Sequence, residues 1–207
     1  MKLSDALRIL PIFAILRGVK PEEAERICGA FIEAGFRSIE VPLNSPEPLR
    51  SIEIMAHAFS GAAAIGAGTV LTATQAKSIA DAGGVFAVAP NTDKDVIAAS
   101  LAAGLTPVPG FMSPSEAFVA IASGARHLKL FPADGLPPAH LKALKAVLPP
   151  GTSVYAVGGV SSNTMGDWIK AGAAGFGLGS SVYKPGDSPA DVLKKARQAA
   201  ETYKNNI

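Results

Sequence analysis

Short apolar runs alternate with helix-like patterns along the whole chain, and a glycine stands shortly before each run after the first. These glycines fall at gaps of 26, 22, 21, 20, 27 and 21 residues: Gly35, Gly61, Gly83, Gly104, Gly124, Gly151 and Gly172. Five of them follow an alanine or serine that closes a helical pattern, where glycine takes the left-handed conformation without a Cβ penalty. The pattern therefore predicts eight strands: 12–18, 38–44, 64–70, 85–91, 106–110, 127–133, 153–160 and 175–182.

Eight strands that alternate with helices at this spacing indicate either a closed (β/α)8 barrel or an open doubly wound sheet. Eight regular units without a break favour the closed TIM barrel. Capping boxes at Ser113 and Ser188 mark two helix starts, and residues 161–171 are predicted to form another helix. No linker divides the chain, so we predict one domain, residues 1–207, with a short N-terminal helix near residues 5–10 that covers the barrel bottom.

Composition excludes several classes of protein. Hydrophobic residues make up 48% of the chain and charged residues 17%, so a sizeable core is expected. The net charge of +2 and the lack of a basic run argue against a nucleic-acid partner. Cys28 is the single cysteine and allows no internal disulfide. No long apolar segment or signal peptide is apparent, so we expect a soluble, cytoplasmic protein without membrane association.

The stretch His-Leu-Lys-Leu-Phe-Pro-Ala at 127–133 places a lysine, Lys129, inside a predicted buried strand. Burial disfavours the charged form of lysine, and a neutral amine can attack a ketone to form a Schiff base. The alternative from this stretch alone is a lysine that reaches solvent or a carboxylate from the strand end.

Barrel active sites lie at the C-terminal ends of the strands, and this rule selects the other candidates. Alternation along the second strand turns Glu40 and Asn44 to the barrel interior, where Arg17 or Lys129 could partner the carboxylate. Arg17 ends the first strand and could hold a substrate carboxylate or form a rim salt bridge. Thr69 supplies a hydroxyl after the third strand, and Pro90 could narrow a pocket after the fourth.

Glycine-rich turns end the seventh and eighth predicted strands, at Gly158-Gly159 and Gly179-Ser180. Barrels often bind phosphate in these two loops through free backbone N–H groups; tight turns without a ligand are the alternative. The sequence offers no pair of histidines with metal-ligand spacing. It also offers no dinucleotide fingerprint, since Gly66-Ala67-Gly68 lacks the third glycine and the acidic residue. No metal or cofactor is expected.

Five segments together resemble the 2-keto-3-deoxy-6-phosphogluconate (KDPG) aldolase family, in order along about residues 11–184: Ala-Ile-Leu-Arg-Gly at 14–18, Ile-Glu-Val at 39–41, Gly-Ala-Gly-Thr-Val at 66–70, Leu-Lys-Leu-Phe-Pro at 128–132 and Val-Gly-Gly-Val at 157–160. The resemblance implies a (β/α)8 barrel and a homotrimeric class I aldolase that needs no metal. It also implies a small phosphorylated 2-keto-3-deoxy sugar acid as the substrate, cleaved to pyruvate and glyceraldehyde 3-phosphate.

Carried over residue by residue, the resemblance assigns Lys129 as the Schiff-base lysine and Glu40 as the general acid/base. It assigns carboxylate binding to Arg17 and Thr69. It assigns phosphate binding to the two glycine turns, Gly158, Gly159, Gly179 and Ser180. Pro90, Phe131 and Val157 complete the predicted substrate-binding set.

Two departures separate this chain from the gluconate-type members. Asn44 stands where they carry an arginine, and Val157 stands where they carry a threonine. Both patterns resemble the galactonate branch, whose substrate is the C4 epimer. Action on the gluconate epimer or on both remains the first alternative, a sugar-phosphate isomerase or epimerase is a more remote one, and a phosphate-ligand binding module is the non-enzymatic one.

Overall fold

The computed structural model describes residues 1–161 and 163–207, and over them it shows a parallel barrel. The strands lie in the order β5-β4-β3-β2-β1-β9-β8-β7-β6. Their bounds are β1 Ile12–Ile15, β2 Ser38–Pro42, β3 Ala64–Gly68, β4 Phe86–Val88, β5 Thr106–Val108, β6 Gly110–Phe111, β7 His127–Leu130, β8 Ser153–Val157 and β9 Gly175–Leu178. The predicted (β/α)8 fold is confirmed.

The fifth predicted strand is divided into β5 and β6, and this division closes the barrel. Only Pro109 separates the two segments; β5 pairs with β4, whereas β6 pairs with β7. Proline has no N–H to donate to a ladder, so it stands where a strand breaks. The Pro109 carbonyl accepts a hydrogen bond from the N–H of Lys129 at 2.9 Å, and the fifth strand thus passes from one neighbour to the other.

Helices surround the strands in the predicted alternation. Their bounds are α1 Leu3–Ile9, α2 Pro21–Glu33, α3 Pro48–Phe59, α4 Ala73–Asp81, α5 Lys94–Ala102, α6 Pro114–Ala122, α7 Pro138–Lys145, α8 Met165–Lys170 and α9 Pro189–Lys204. The N-terminal helix and both capping boxes are confirmed. The helix predicted over 161–171 begins only at Met165, and Ser162 within that range lies outside the described residues. In the part of the chain that is described, no helix is long and apolar enough to cross a membrane.

Side-chain alternation divides each strand between two apolar layers. In β1, Ala14 packs in the layer between strands and helices, whereas Phe13 and Ile15 pack inside the barrel. The same alternation in β7 buries Leu128 and Leu130 against the helices. It therefore turns Lys129, which lies between them, to the interior.

Candidate active site

Lys129 lies on β7 inside the barrel with only 7% of its surface exposed. Its Nζ atom is 4.5 Å from the centre of the Phe131 ring. Among the described residues, Lys129 takes part in no ion pair within 4.0 Å. Burial lowers the pKa of Lys129; the nearby Arg17 charge lowers it further, while Glu40 acts in the opposite direction. At a given pH, a larger fraction of Lys129 is therefore uncharged than of a lysine on the surface.

Glu40 lies on β2 and is 3% exposed. Burial raises the pKa of its carboxyl group, although Lys129 and Arg17 act in the opposite direction. Gly68 on the neighbouring strand β3 makes room for this group, because a Cβ atom there would stand 2.4 Å from Oε1 of Glu40. Any other residue at 68 would displace the carboxyl group.

A buried amine and a buried carboxyl group in one interior support a definite chemistry. An amine with a lowered pKa can condense with a carbonyl carbon. A carboxyl group with a raised pKa is a stronger base than an ordinary one and can both accept and return a proton. The pair can therefore form an imine and move protons on the carbon skeleton attached to it.

Arg17 follows β1 at the rim of the barrel, where it is exposed. Its Nη1 donates to Oδ1 of Asn44 at 2.6 Å, and the N–H of Gly18 donates to the hydroxyl of Ser45 at 2.9 Å. The prediction that Asn44 faces the interior is wrong: β2 ends at Pro42, so alternation stops there and Asn44 is exposed. Within the described residues Glu40 forms no ion pair with Arg17 or Lys129, contrary to the expected pairing.

Two turns after β8 and β9 present backbone N–H groups. Gly158 and Gly159 have φ values of +94° and +71°, which glycine adopts readily. No described acceptor of the chain takes a hydrogen bond from the N–H groups of residues 158–160 or 179–181. Successive free N–H groups of this kind favour an anion.

A cavity of about 300 Å³ joins these features at the C-terminal end of the barrel. Such a volume is at the lower end of the range for small-molecule sites. Nine of the predicted site residues line it: Arg17, Glu40, Lys129, Phe131, Val157, Gly158, Gly159, Gly179 and Ser180. Ile15, Val160, Gly177 and Ser181 also line it and were not predicted.

Two predicted site residues stand outside that lining. Thr69 follows β3 and is half-buried, with a φ of +57° that is unusual for a β-branched residue. The carbonyl of Pro90 packs against the backbone of Gly110. Both lie just after strand ends on the face where the cavity opens.

The four unpredicted lining residues differ in the signal that they give. Gly177 leaves room for the side chain of Val157. The two residues pair in the ladder, and a Cβ atom at 177 would stand 2.7 Å from Cγ2 of that valine. Ser181 and Val160 extend the two glycine turns by one residue, so the turns themselves were the available signal. Ile15 is indistinguishable in sequence from other core residues.

The opposite end of the barrel holds His127, whose Nδ1 is 3.1 Å from the hydroxyl of Tyr155. His127 is therefore a hydrogen-bonded residue near the barrel bottom. Over residues 1–161 and 163–207, no group of three or more His, Cys, Asp and Glu side chains is arranged to hold a metal ion.

Comparisons with known proteins agree with this geometry. The family model described as KDPG and KHG aldolase matches residues 3–196. A probable 2-dehydro-3-deoxy-6-phosphogalactonate aldolase of Rhizobium meliloti (strain 1021) is 48% identical over 93% of this chain and 91% of its own length. The 2-dehydro-3-deoxy-6-phosphogalactonate aldolase of Escherichia coli (strain K12) is 46% identical over 92% of each chain.

A solved structure described as native KDPGal superposes on this chain with a TM-score of 0.93. The two chains are 43% identical, and the match covers 95% of this chain and 96% of the other.

Proposed function

The chain belongs to the KDPG and KHG aldolase family, and from that premise we propose that it is a 2-dehydro-3-deoxy-6-phosphogalactonate aldolase. It cleaves this sugar-acid phosphate to pyruvate and D-glyceraldehyde 3-phosphate through a Schiff base. The whole chain, residues 1–207, acts as one catalytic domain. Support comes from the two relatives that are 48% and 46% identical and bear this name.

Lys129 supplies the nucleophile. Its neutral Nζ attacks the C2 ketone of the substrate, and the hydroxyl of the resulting carbinolamine takes up one proton from solvent and leaves as water, which gives a protonated imine. This cation withdraws electrons from the C3–C4 bond, one carbon away from the imine. The burial that lowers the pKa of Lys129 supports the role, because only the free amine can begin the attack.

Glu40 moves the protons of the reaction. It takes the proton of the C4 hydroxyl, directly or through one water, and the C3–C4 bond breaks with its electrons passing into the enamine. Glyceraldehyde 3-phosphate leaves. Glu40 then returns a proton to C3, and water hydrolyses the imine to release pyruvate and the free lysine.

The other predicted site residues, in the cavity lining and beside it, bind the two charged ends of the substrate. Arg17, with Thr69, holds the carboxylate next to C2, because a guanidinium can donate two parallel hydrogen bonds to a carboxylate. The N–H groups at 158–160 and 179–181 bind the phosphate. Phe131 and Pro90 narrow the channel between the two ends.

Val157 lacks a contact that would favour the gluconate epimer. It lines the cavity with a methyl group, whereas the family resemblance implies a threonine hydroxyl there in gluconate-type members. A site that offers a hydroxyl to one C4 configuration discriminates strongly against the other, whereas a methyl group removes that preference.

The single observation that supports this function most is the buried Lys129, facing the same cavity as Glu40 and the two glycine turns. To test this function, the pyruvate that is released from each C4 epimer is measured by its coupled reduction to lactate. We expect cleavage of both to depend on Lys129 and the galactonate epimer to have the higher kcat/KM. A higher kcat/KM for the gluconate epimer would assign the chain to that substrate, and no release from either would reject an aldolase.

We also propose that the enzyme assembles as a homotrimer, which the resemblance to the KDPG aldolase family implies. Sedimentation equilibrium tests this directly. A mass of three chains is expected, and a monomer at micromolar concentration would contradict it.

A further inference from the structure

Asn44 stands in the turn after β2 and is exposed at the rim of the barrel. Its Oδ1 accepts a hydrogen bond of 2.6 Å from Nη1 of Arg17, which belongs to the turn after β1. The two residues are 27 positions apart in the chain, so the contact depends on the pairing of β1 with β2.

The turn that carries Asn44 is itself well fixed. The Ser45 N–H donates to the carbonyl of Pro42 at 2.9 Å, and the Ser45 hydroxyl accepts from the N–H of Gly18 at the same distance. Ser45 is buried, while Asn44 is exposed. The backbone bond from Ser45 to Pro42 closes this turn and holds the Asn44 amide next to Arg17.

The chemistry of the contact suits an arginine that must bind an anion. A free arginine side chain samples many rotamers, and fixing it costs conformational entropy. The amide oxygen fixes the guanidinium through one of its five N–H donors and leaves the others for a ligand. Because the amide is uncharged, it does not neutralise the guanidinium, as a carboxylate partner would.

We propose that Asn44 is the positioning residue for Arg17 and prepares its guanidinium for the substrate carboxylate. This inference rests on the proposed function, in which Arg17 binds that carboxylate. The carboxylate occurs in both epimers and in pyruvate, so Asn44 acts on the affinity for all three and not on the choice between epimers.

The test combines Asn44→Ala, Arg17→Ala and the double variant, with steady-state kinetics on the galactonate substrate. A hydrogen bond to a charged group at an exposed rim should contribute about fivefold to tenfold in affinity. We expect Asn44→Ala to raise KM by this factor with kcat changed less than about twofold, as for lost uniform binding. In the Arg17→Ala background, the second substitution should change KM by less than about twofold, because its partner is gone.

Ser45→Ala is the matched control, because it removes the other side-chain bond between the same two turns and leaves the Arg17–Asn44 bond intact. We expect its KM to stay within about twofold of the wild-type value, since the amide still fixes the guanidinium. If Ser45→Ala raises KM as much as Asn44→Ala does, the turns only need tethering and the inference is overturned.

A second readout separates this inference from the proposed function. The pyruvate concentration that half-saturates borohydride trapping should rise in Asn44→Ala by the same factor as KM, and thermal unfolding checks that each variant is folded. Asn44→Ser replaces Asn44→Ala if the latter does not fold. Wild-type protein that neither cleaves nor traps would reject the function itself. Active wild-type protein with an unchanged Asn44→Ala, or with an equal effect in the Arg17→Ala background, would reject only the role of Asn44.

Discussion

The barrel interior consists of a lower and an upper layer, which are buried to a similar degree. In the lower layer, the ring of Phe13 packs edge-to-face against those of Phe86 and Tyr155, with centroids 5.6 and 5.1 Å apart. In the upper layer the interior positions hold Lys129 and Glu40. The lower layer contains apolar contacts, whereas the upper layer contains two ionisable groups without a close ion pair between them.

The difference shows where this fold gains stability and where it loses some. Edge-to-face aromatic pairs add to the stabilisation from burial. Burial of an ionisable group, in contrast, disfavours its charged form and makes the folded state less stable over part of the pH range. The same burial shifts the pKa values of the amine and the carboxyl group in the directions that the proposed function requires.

Replacement of Lys129 should give the largest effect on activity, because it removes one of the two ionisable groups that distinguish the upper layer from the lower one. Lys129→Met keeps the approximate volume of the side chain but removes the proposed nucleophile, so we expect cleavage to fall by about 10⁴-fold or more. Coupled pyruvate release measures this. A variant that retained a tenth of the activity would exclude the Schiff-base lysine.

The same variant, Lys129→Met, should be more stable than the wild-type protein although it is less active. The folded-state pKa of Lys129 is lowered, so the unfolded chain binds more protons and wild-type stability rises with pH through that window. The free energy of unfolding of Lys129→Met, measured by denaturant titration, should exceed the wild-type value most below the lowered pKa. The excess should vanish above the ordinary pKa of lysine.

Glu40→Gln should reduce kcat by about 10²- to 10⁴-fold, because it removes the proposed general acid/base. The folded-state pKa of Glu40 is raised, so the folded chain binds more protons and wild-type stability falls as pH rises through that window. The excess stability of Glu40→Gln should therefore be largest above the raised pKa and absent at acid pH. A variant that is less stable than wild type at every pH would contradict a cost from burial of this carboxyl group.

Phe86→Ala tests the lower layer. Phe86 is fully buried against Phe13, so its truncation should lower the free energy of unfolding by about 3–5 kcal/mol. Phe118→Ala is the matched control, because Phe118 is 42% exposed on α6 and should change stability by less than about 0.5 kcal/mol. Urea unfolding measures both, and equal losses would show that the lower layer has no special role in stability.

Val157→Thr should give the smallest effect. It tests whether the upper layer also determines the choice between the C4 epimers. The new hydroxyl beside the substrate should shift the ratio of kcat/KM between the C4 epimers toward gluconate by about tenfold. Trapping of pyruvate, which has no C4, should be unchanged. An unchanged epimer ratio would place the discrimination elsewhere in the cavity.

Sequence alone predicted the layers well where strands are regular. The apolar run around Lys129 predicted a buried strand, and alternation along the second strand predicted that Glu40 faces inward; both residues are buried. The period fails beyond the strand ends. Asn44 was predicted to face the interior, yet β2 ends two residues earlier and the side chain bonds to Arg17 at the rim.

The closure of the barrel and the Arg17–Asn44 contact depend on distant parts of the chain meeting. Pro109 divides the fifth strand so that its two segments pair with different neighbours, a consequence of barrel geometry that no local pattern contains. The fixed amide at Asn44 likewise requires β1 and β2 to lie side by side.

Trapping with pyruvate and borohydride, followed by peptide mass spectrometry, tests the central claim most directly. The wild-type enzyme should acquire one reduced pyruvyl group per chain, on Lys129, and Lys129→Met should acquire none. Wild-type protein that cleaves the substrate with Lys129 unmodified, or with the group on another lysine, would contradict the account.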